Sequence, residues 1–307
     1  MKRLRRLQTG DRIALVAPAS AFPPEEVEAG VAELRRLGFD AVYDETVFAK
    51  EAFTAGSAAV RAQAIHDAWS DPEIAALVAV RGGYGSAQLL PLLDVELMRR
   101  VCKPLIGYSD ITALLNLHLR CGLVAIHGPM IDRRISKGRD AYDLDSFMKV
   151  VASAAPAGEM RPDQIESLHT GESGGMLVGG TLTQLLALMG TPWAFEPPQG
   201  CVMFLEDIGE RPYRVHRMLT QLAQSGIFAR ASAIVFGEFP GCDEPGGNGP
   251  AIRDVLRDFT RGFTGPVLFN FPSGHTKGAT WTLPFGVAAT VTGGPAACLT
   301  ILEAAVY

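Results

Sequence analysis

The sequence predicts an α/β protein in two parts, a parallel doubly wound sheet in its first half and a mixed α+β domain in its second. Three observations carry this. Short apolar runs alternate with amphipathic helical segments between residues 12 and 126. The texture then turns to charged and small residues over 132–162, as at a crossing between domains. Beyond it, strand-like runs and helices lose the strict alternation. The expected domains are residues 1–155 and 165–307.

In order, residues 12–18 (RIALVAP) form a buried strand, and 24–37 a helix with Val27, Val31 and Leu34 on one face. A short strand covers 41–43, a helix 57–69, a strand 74–80 (IAALVAV) and a helix 86–93. The apolar run 104–106 enters a tight turn at Gly107 and Tyr108, beyond which a helix begins around Ser109. A strand at 123–126 closes the series, and a helix follows at 144–152. In the second half, strands are expected at 203–205, 233–236, 267–269 and 288–291, with helices at 213–222 and 252–259. Ligands of open parallel sheets sit outside the carboxyl ends of the strands. Ser109 and the loop after Val80 both lie at such ends.

Composition narrows the function. The 307 residues are 48% hydrophobic, enough for packed cores, and a net charge of -5 without a basic stripe excludes nucleic acid as an expected partner. Basic residues from Lys2 to Arg6 resemble the start of a signal peptide, but Gly10, Asp11 and Arg12 interrupt it before an apolar region forms. No run reaches the ~18 apolar residues of a membrane span. A cytoplasmic protein without membrane contact is expected. Cys102, Cys121, Cys201, Cys242 and Cys298 are odd in number and scattered, so they read as reduced core thiols, with neither metal nor cofactor implied.

Chemistry concentrates in a few places. A serine lifted out of a sheet by a strand-to-helix turn can act as a nucleophile, with helix N-terminal N–H groups beside it to stabilise an oxyanion. Ser109 occupies such a turn; the alternative role for Ser109 or Asp110 is a helix cap. The motif departs from Gly-x-Ser-x-Gly, because Ile111 stands at the second glycine. Arg81-Gly82-Gly83-Tyr84-Gly85-Ser86 directly follows a strand and suits an anion or oxyanion cradle, although it lacks P-loop and dinucleotide spacings. A serine nucleophile needs a base and the base an orienting acceptor. His127 and His275 both sit where loops can present them, and spacing does not choose between them. Glu206 and Asp207 end a buried strand, where unpaired carboxylates would be costly; either one faces a site or caps the helix beginning near Arg211.

Six motifs in order resemble the LD-carboxypeptidases, serine peptidases also called murein tetrapeptide carboxypeptidases. They are Arg81 to Gly85 (RGGYG), Gly107 to Thr112 (GYSDIT), His127 to Met130 (HGPM), Gly179 to Thr183 (GGTLT), Leu205 to Asp207 (LED) and Gly274 to Thr276 (GHT). The resemblance implies a Rossmann-like N-terminal domain, a smaller β-rich C-terminal domain and a homodimer. It implies Ser109 as nucleophile, His275 as base and Glu206 as its orienter, with backbone N–H groups of Gly83 and Asp110 as the oxyanion hole. Arg81 and Tyr84 are candidates for substrate binding. Related enzymes release D-Ala from the L-centre of diaminopimelate in murein tetrapeptides during cell-wall recycling. A sister branch hydrolyses aminoacyl-nucleotide antibiotics of the microcin C type. One departure is Thr181, where the family commonly has Asn, which bears on the detail of the contact between domains.

The expected activity is a metal-independent serine carboxypeptidase acting on a short peptide that ends in a D-residue. An aminoacyl-nucleotide amidase is the first rival, with Trp193 as the aromatic that would stack on a base; the other role for Trp193 is a place in the core. A non-catalytic α/β protein that binds a small ligand in the same crevice is the second rival.

Overall fold

The computed structural model describes residues 1–307. The chain forms two compact units, one of Met1–Ala155, Gly278–Gly286 and Ala304–Tyr307, the other of Pro156–Lys277 and Val287–Glu303.

In the first unit, β1 (Arg12–Val16), β2 (Asp40–Val42), β3 (Ile74–Ala79), β4 (Leu105–Gly107) and β5 (Ala125–His127) make a parallel sheet in the order 2-1-3-4-5. Every residue of β3 is buried, as a central parallel strand covered on both faces requires. The strands are joined through α1 (Pro24–Arg36), α2 (Ala58–Ser70), α3 (Val95–Val101) and α4 (Thr112–Arg120), and α5 (Leu144–Ala152) follows. Proline in its first turn, Glu25 and Glu26 at its start and Arg35 and Arg36 at its end suit α1 to the helix dipole. Ser57 caps α2 by accepting from the Val60 N–H. The helix expected over 86–93 is a single 3-10 turn, Ser86–Leu89. Pro91 stops it, lacking an N–H and clashing with the preceding turn. The chain restarts as α3, which the sequence reading leaves out, with Asp94 accepting from the Leu97 N–H.

The second unit holds β6 (Gly158–Met160), β7 (Glu166–His169), β8 (Gly171–Thr181), β9 (Cys201–Glu206), β10 (Ala231–Gly237) and β11 (Val267–Phe271). The chain then adds β12 (Leu283–Phe285) to the first unit as an antiparallel edge beside β5, before β13 (Ala288–Gly293) and β14 (Cys298–Ile301) complete the second sheet. Its order is β6-β14-β13-β8-β9-β10-β11-β7, parallel from β8 to β11 and antiparallel outside. Helices α6 (Leu182–Ala187), α7 (Pro212–Gln224) and α8 (Ile252–Phe259) accompany it. Its core includes the buried rings of Phe204, Phe236, Phe239 and Phe271. The fold class is therefore the expected one, a Rossmann-like parallel sheet followed by a β-rich α+β region.

Glycine hides β8 from sequence reading, because five glycines in eleven residues carry little strand propensity. The backbone explains them. A Cβ on Gly175 would lie 1.9 Å from the Gly200 carbonyl oxygen, and one on Gly179 1.8 Å from that of Phe204. Neighbouring backbone comes too close for any side chain.

Candidate active site

The end of β4 places Ser109 on a strained turn. Tyr108 is extended and Ser109 turns to φ +61°, the left-handed region that costs a non-glycine residue about 1–2 kcal/mol. A 3-10 turn, Ser109–Ile111, then leads into α4. Neither Ser109 nor Asp110 caps that helix with its side chain. The missing second glycine is also accounted for, since the Ile111 side chain folds back where a Cβ on Gly107 would stand, 2.9 Å from its Cγ2.

The glycine-rich loop packs against this turn. A Cβ on Gly82 would lie 2.8 Å from the Ser109 Cβ and 3.0 Å from its Oγ, so only glycine allows this approach. Gly83, at φ +99°, has the Ser20 hydroxyl beneath it, and Ser20 Oγ accepts from the Tyr84 N–H at 3.1 Å. Asp110 is buried and turns back to the loop, its Oδ2 accepting from the Ser86 N–H at 2.7 Å while the Ser86 hydroxyl donates to its carbonyl oxygen. Burial pushes the Asp110 pKa up, and the bonds from Ser86 oppose that. Ser109, Gly82, Gly83 and Asp110 thus form one cluster.

A second cluster lies at the end of β9. Glu206 is fully buried. Its Oε2 accepts from the His275 N–H at 2.9 Å and lies 2.8 Å from His275 Nδ1, while Oε1 accepts from the Thr181 hydroxyl. A carboxylate at Nδ1 requires the proton there, which leaves Nε2 as the ring's acceptor. Glycines make the room: a Cβ on Gly237 would fall 2.5 Å from the Glu206 Cβ, and one on Gly274, at φ +79°, 2.7 Å from its Cδ. The two carboxylates divide their work. Asp207 accepts from the N–H and hydroxyl of Thr183 and from the Ile208 N–H, and its pKa is pushed up to about 6 by burial and by the charge of Glu206. Neither caps α7, whose first residue is Pro212 and whose start has no side-chain cap.

The side chains of the other predicted residues make contacts of their own. Arg81 pairs with Asp132 at 3.3 Å and donates to the Ala21 carbonyl. Tyr84 is 53% exposed and stands edge-on to Phe53. Trp193 is half-buried, outside the core. His127 is buried, its ring 6.0 Å from Tyr108 and 5.1 Å from Phe285. No group of three or more His, Cys, Asp or Glu side chains is arranged to hold a metal ion.

Sequence reading missed three supporting residues, Ser20, Arg61 and Glu238, and named Thr181 as a departure from the family motif without seeing its bond to Glu206. Arg61 alone leaves a trace, a cation in register with Ile65 and Trp69 on the buried face of α2. Glu238 braces the histidine loop, accepting from the Thr276 hydroxyl and from the Lys277 N–H at 2.8 Å.

Comparison with known proteins identifies the family. Residues 13–128 match the LD-carboxypeptidase N-terminal domain and residues 174–291 the C-terminal domain. The chain is 34% identical to the murein tetrapeptide carboxypeptidase of Pseudomonas aeruginosa over 289 residues, 92% of this chain and 93% of that one. Among solved structures it is similar to the muramoyltetrapeptide carboxypeptidase of Oxalobacter formigenes, with TM-score 0.83 and 30% identity over 95% of this chain and 99% of the other. It is also similar to the microcin C7 self immunity protein MccF in complex with aspartyl sulfamoyl adenosine, with TM-score 0.91 and 25% identity over the whole of both chains. With both domain models matched in order over most of its length, this chain belongs to the LD-carboxypeptidase family.

Proposed function

We propose that this carboxypeptidase is a serine enzyme that hydrolyses the bond between the L-centre of diaminopimelate and a terminal D-Ala in murein tetrapeptides, in cell-wall recycling. The carrying observation is the buried Glu206 held 2.8 Å from His275 Nδ1, which prepares Nε2 to accept a proton. In this reading Ser109 Oγ attacks the scissile carbonyl as its proton passes to His275 Nε2. The N–H groups of Gly83 and Asp110 stabilise the oxyanion. Collapse breaks the C–N bond, His275 protonates the departing amine of D-Ala, and water resolves the acyl-enzyme by the same route. The strained φ of Ser109 and the closeness of Gly82 support the nucleophile. The identity with the Pseudomonas aeruginosa enzyme supports the substrate. The family resemblance extends the reading to a cytoplasmic homodimer, with Arg81 and Tyr84 contacting substrate.

The test is mass spectrometry of products from a murein tetrapeptide ending in D-Ala and from its L-Ala counterpart. Far faster release of D-Ala is expected, with Ser109→Ala slower by about a thousandfold or more. Equal rates on the two peptides would overturn the LD assignment, and near wild-type turnover by Ser109→Ala would remove the covalent mechanism. The half-burial of Trp193 and the MccF structure favour one second reading, hydrolysis of an aminoacyl nucleotide. Preference for an aminoacyl sulfamoyl adenosine over either peptide would select it.

A further inference from the structure

Arg61 is 3% exposed, yet its hydrogen bonds reach no carboxylate. Its Nη1 donates to the carbonyls of Pro18 at 2.6 Å and Gly85 at 2.9 Å, its Nε to that of Gly56 at 3.1 Å, and its Nη2 to Gln88 Oε1 at 2.6 Å. A buried guanidinium without a bonded anion is expensive, and an apolar side chain would suit the inner face of α2 better if packing were its only task.

The three carbonyls belong to three separate loops, and two of them meet beside Ser109. The loop after β1 is stitched to the glycine-rich loop by Ser20, whose N–H donates to the Gly82 carbonyl and whose Oγ accepts from the Tyr84 N–H. Arg61 binds both of these loops at once, through Pro18 and Gly85. Gly85 sits at φ +124°, and a Cβ there would fall 2.9 Å from Arg61 Nη1, so the guanidinium closes directly on the backbone. On the far side, Ser86 ties the loop to Asp110 by two hydrogen bonds. The N–H groups of Gly83 and Asp110 therefore hang on one frame, with Arg61 as its cationic pin.

We propose that Arg61 is a positioning residue that holds the Gly82–Gly85 backbone where the Gly83 N–H can serve an oxyanion, an inference that rests on the serine-peptidase reading above. A displacement of about 1 Å in such a donor is enough to cost ~100-fold in rate.

The experiment measures the phosphonylation rate of Ser109 by a fluorophosphonate, and kcat and KM on the murein tetrapeptide, for wild type, Arg61→Lys and Arg61→Gly. Phosphonylation needs the same oxyanion donors. Both rates should fall together by about 10- to 100-fold in Arg61→Lys, with KM nearly unchanged. Ethylguanidinium should restore part of the phosphonylation rate of Arg61→Gly. Folded variants phosphonylated at the wild-type rate would overturn the inference alone, leaving the serine mechanism intact. Failure of both variants to fold would make Arg61 purely structural and also overturn it. If wild type resists the reagent and Ser109→Ala keeps full turnover, the serine mechanism falls, and this inference with it.

Discussion

Replacing Thr181 by Val removes a hydrogen bond to the buried acid. Thr181 ends β8 directly opposite Glu206 in β9 and is 4% exposed. Its hydroxyl donates to Glu206 Oε1, while Oε2 serves the backbone and ring of His275. Valine keeps the volume and the branching at Cβ, so the backbone and packing should persist. What goes is a charge-assisted bond to a carboxylate with no exposed surface, worth about 1.5–3 kcal/mol. With a urea slope of roughly 2 kcal/mol per molar, the unfolding midpoint should drop by about 1 M. The carboxylate is also freer to rotate away from Nδ1, so kcat should fall by about tenfold, equivalent to ~1.4 kcal/mol of barrier. Thr181→Ser, which retains the hydroxyl, should recover most of both losses. A Thr181→Val protein with the wild-type midpoint and wild-type turnover would refute the view that this hydroxyl secures the acid.

Two further perturbations test the assignments around the acid. His275→Ala should match Ser109→Ala in lost turnover, and the double variant should be scarcely worse than either, since residues acting as a unit are not additive. His127→Ala should cost stability and only a modest part of the rate, because that ring is packed against Tyr108 and Phe285; the reverse pattern would move the base into the first unit. Asp207 supplies a pH signature. Its folded pKa of about 6 lies above the ordinary 3.8, so the folded state binds the extra proton and stability is lost as pH rises from about 4 to about 6. Across that window wild type should lose up to ~3 kcal/mol relative to Asp207→Asn, at about 1.4 kcal/mol per pH unit. Urea unfolding of both proteins at a series of pH values checks this, and parallel profiles would refute it.

Local sequence determined a good deal of this molecule. The apolar runs of β1, β3 and β9 and the amphipathic segments of α1, α2, α5 and α7 emerge in place because burial and helical period are written residue by residue. Local pattern marks Ser109 and the glycine-rich loop as candidates and leaves open the choice between Glu206 and Asp207 and between His275 and His127, whereas the roles given to Gly83, Asp110, Glu206 and His275 come from the family resemblance. Tertiary structure alone decided the rest. The glycines of β8 look like loop until Gly200 and Phe204 are seen pressed against them. No pattern in 283–285 announces that these residues leave the second half of the chain to edge the first sheet. Ser109 and Asp110 cease to be helix caps only when the capping geometry and the Ser86 partner are visible. Between His127 and His275 spacing is silent, and it is the fold that brings Glu206, 69 residues away in the chain, within 2.8 Å of His275. Hydrogen bonds have a reach of about 3 Å and act through space, so a sequence can name the groups that make them but only packing can say which ones meet.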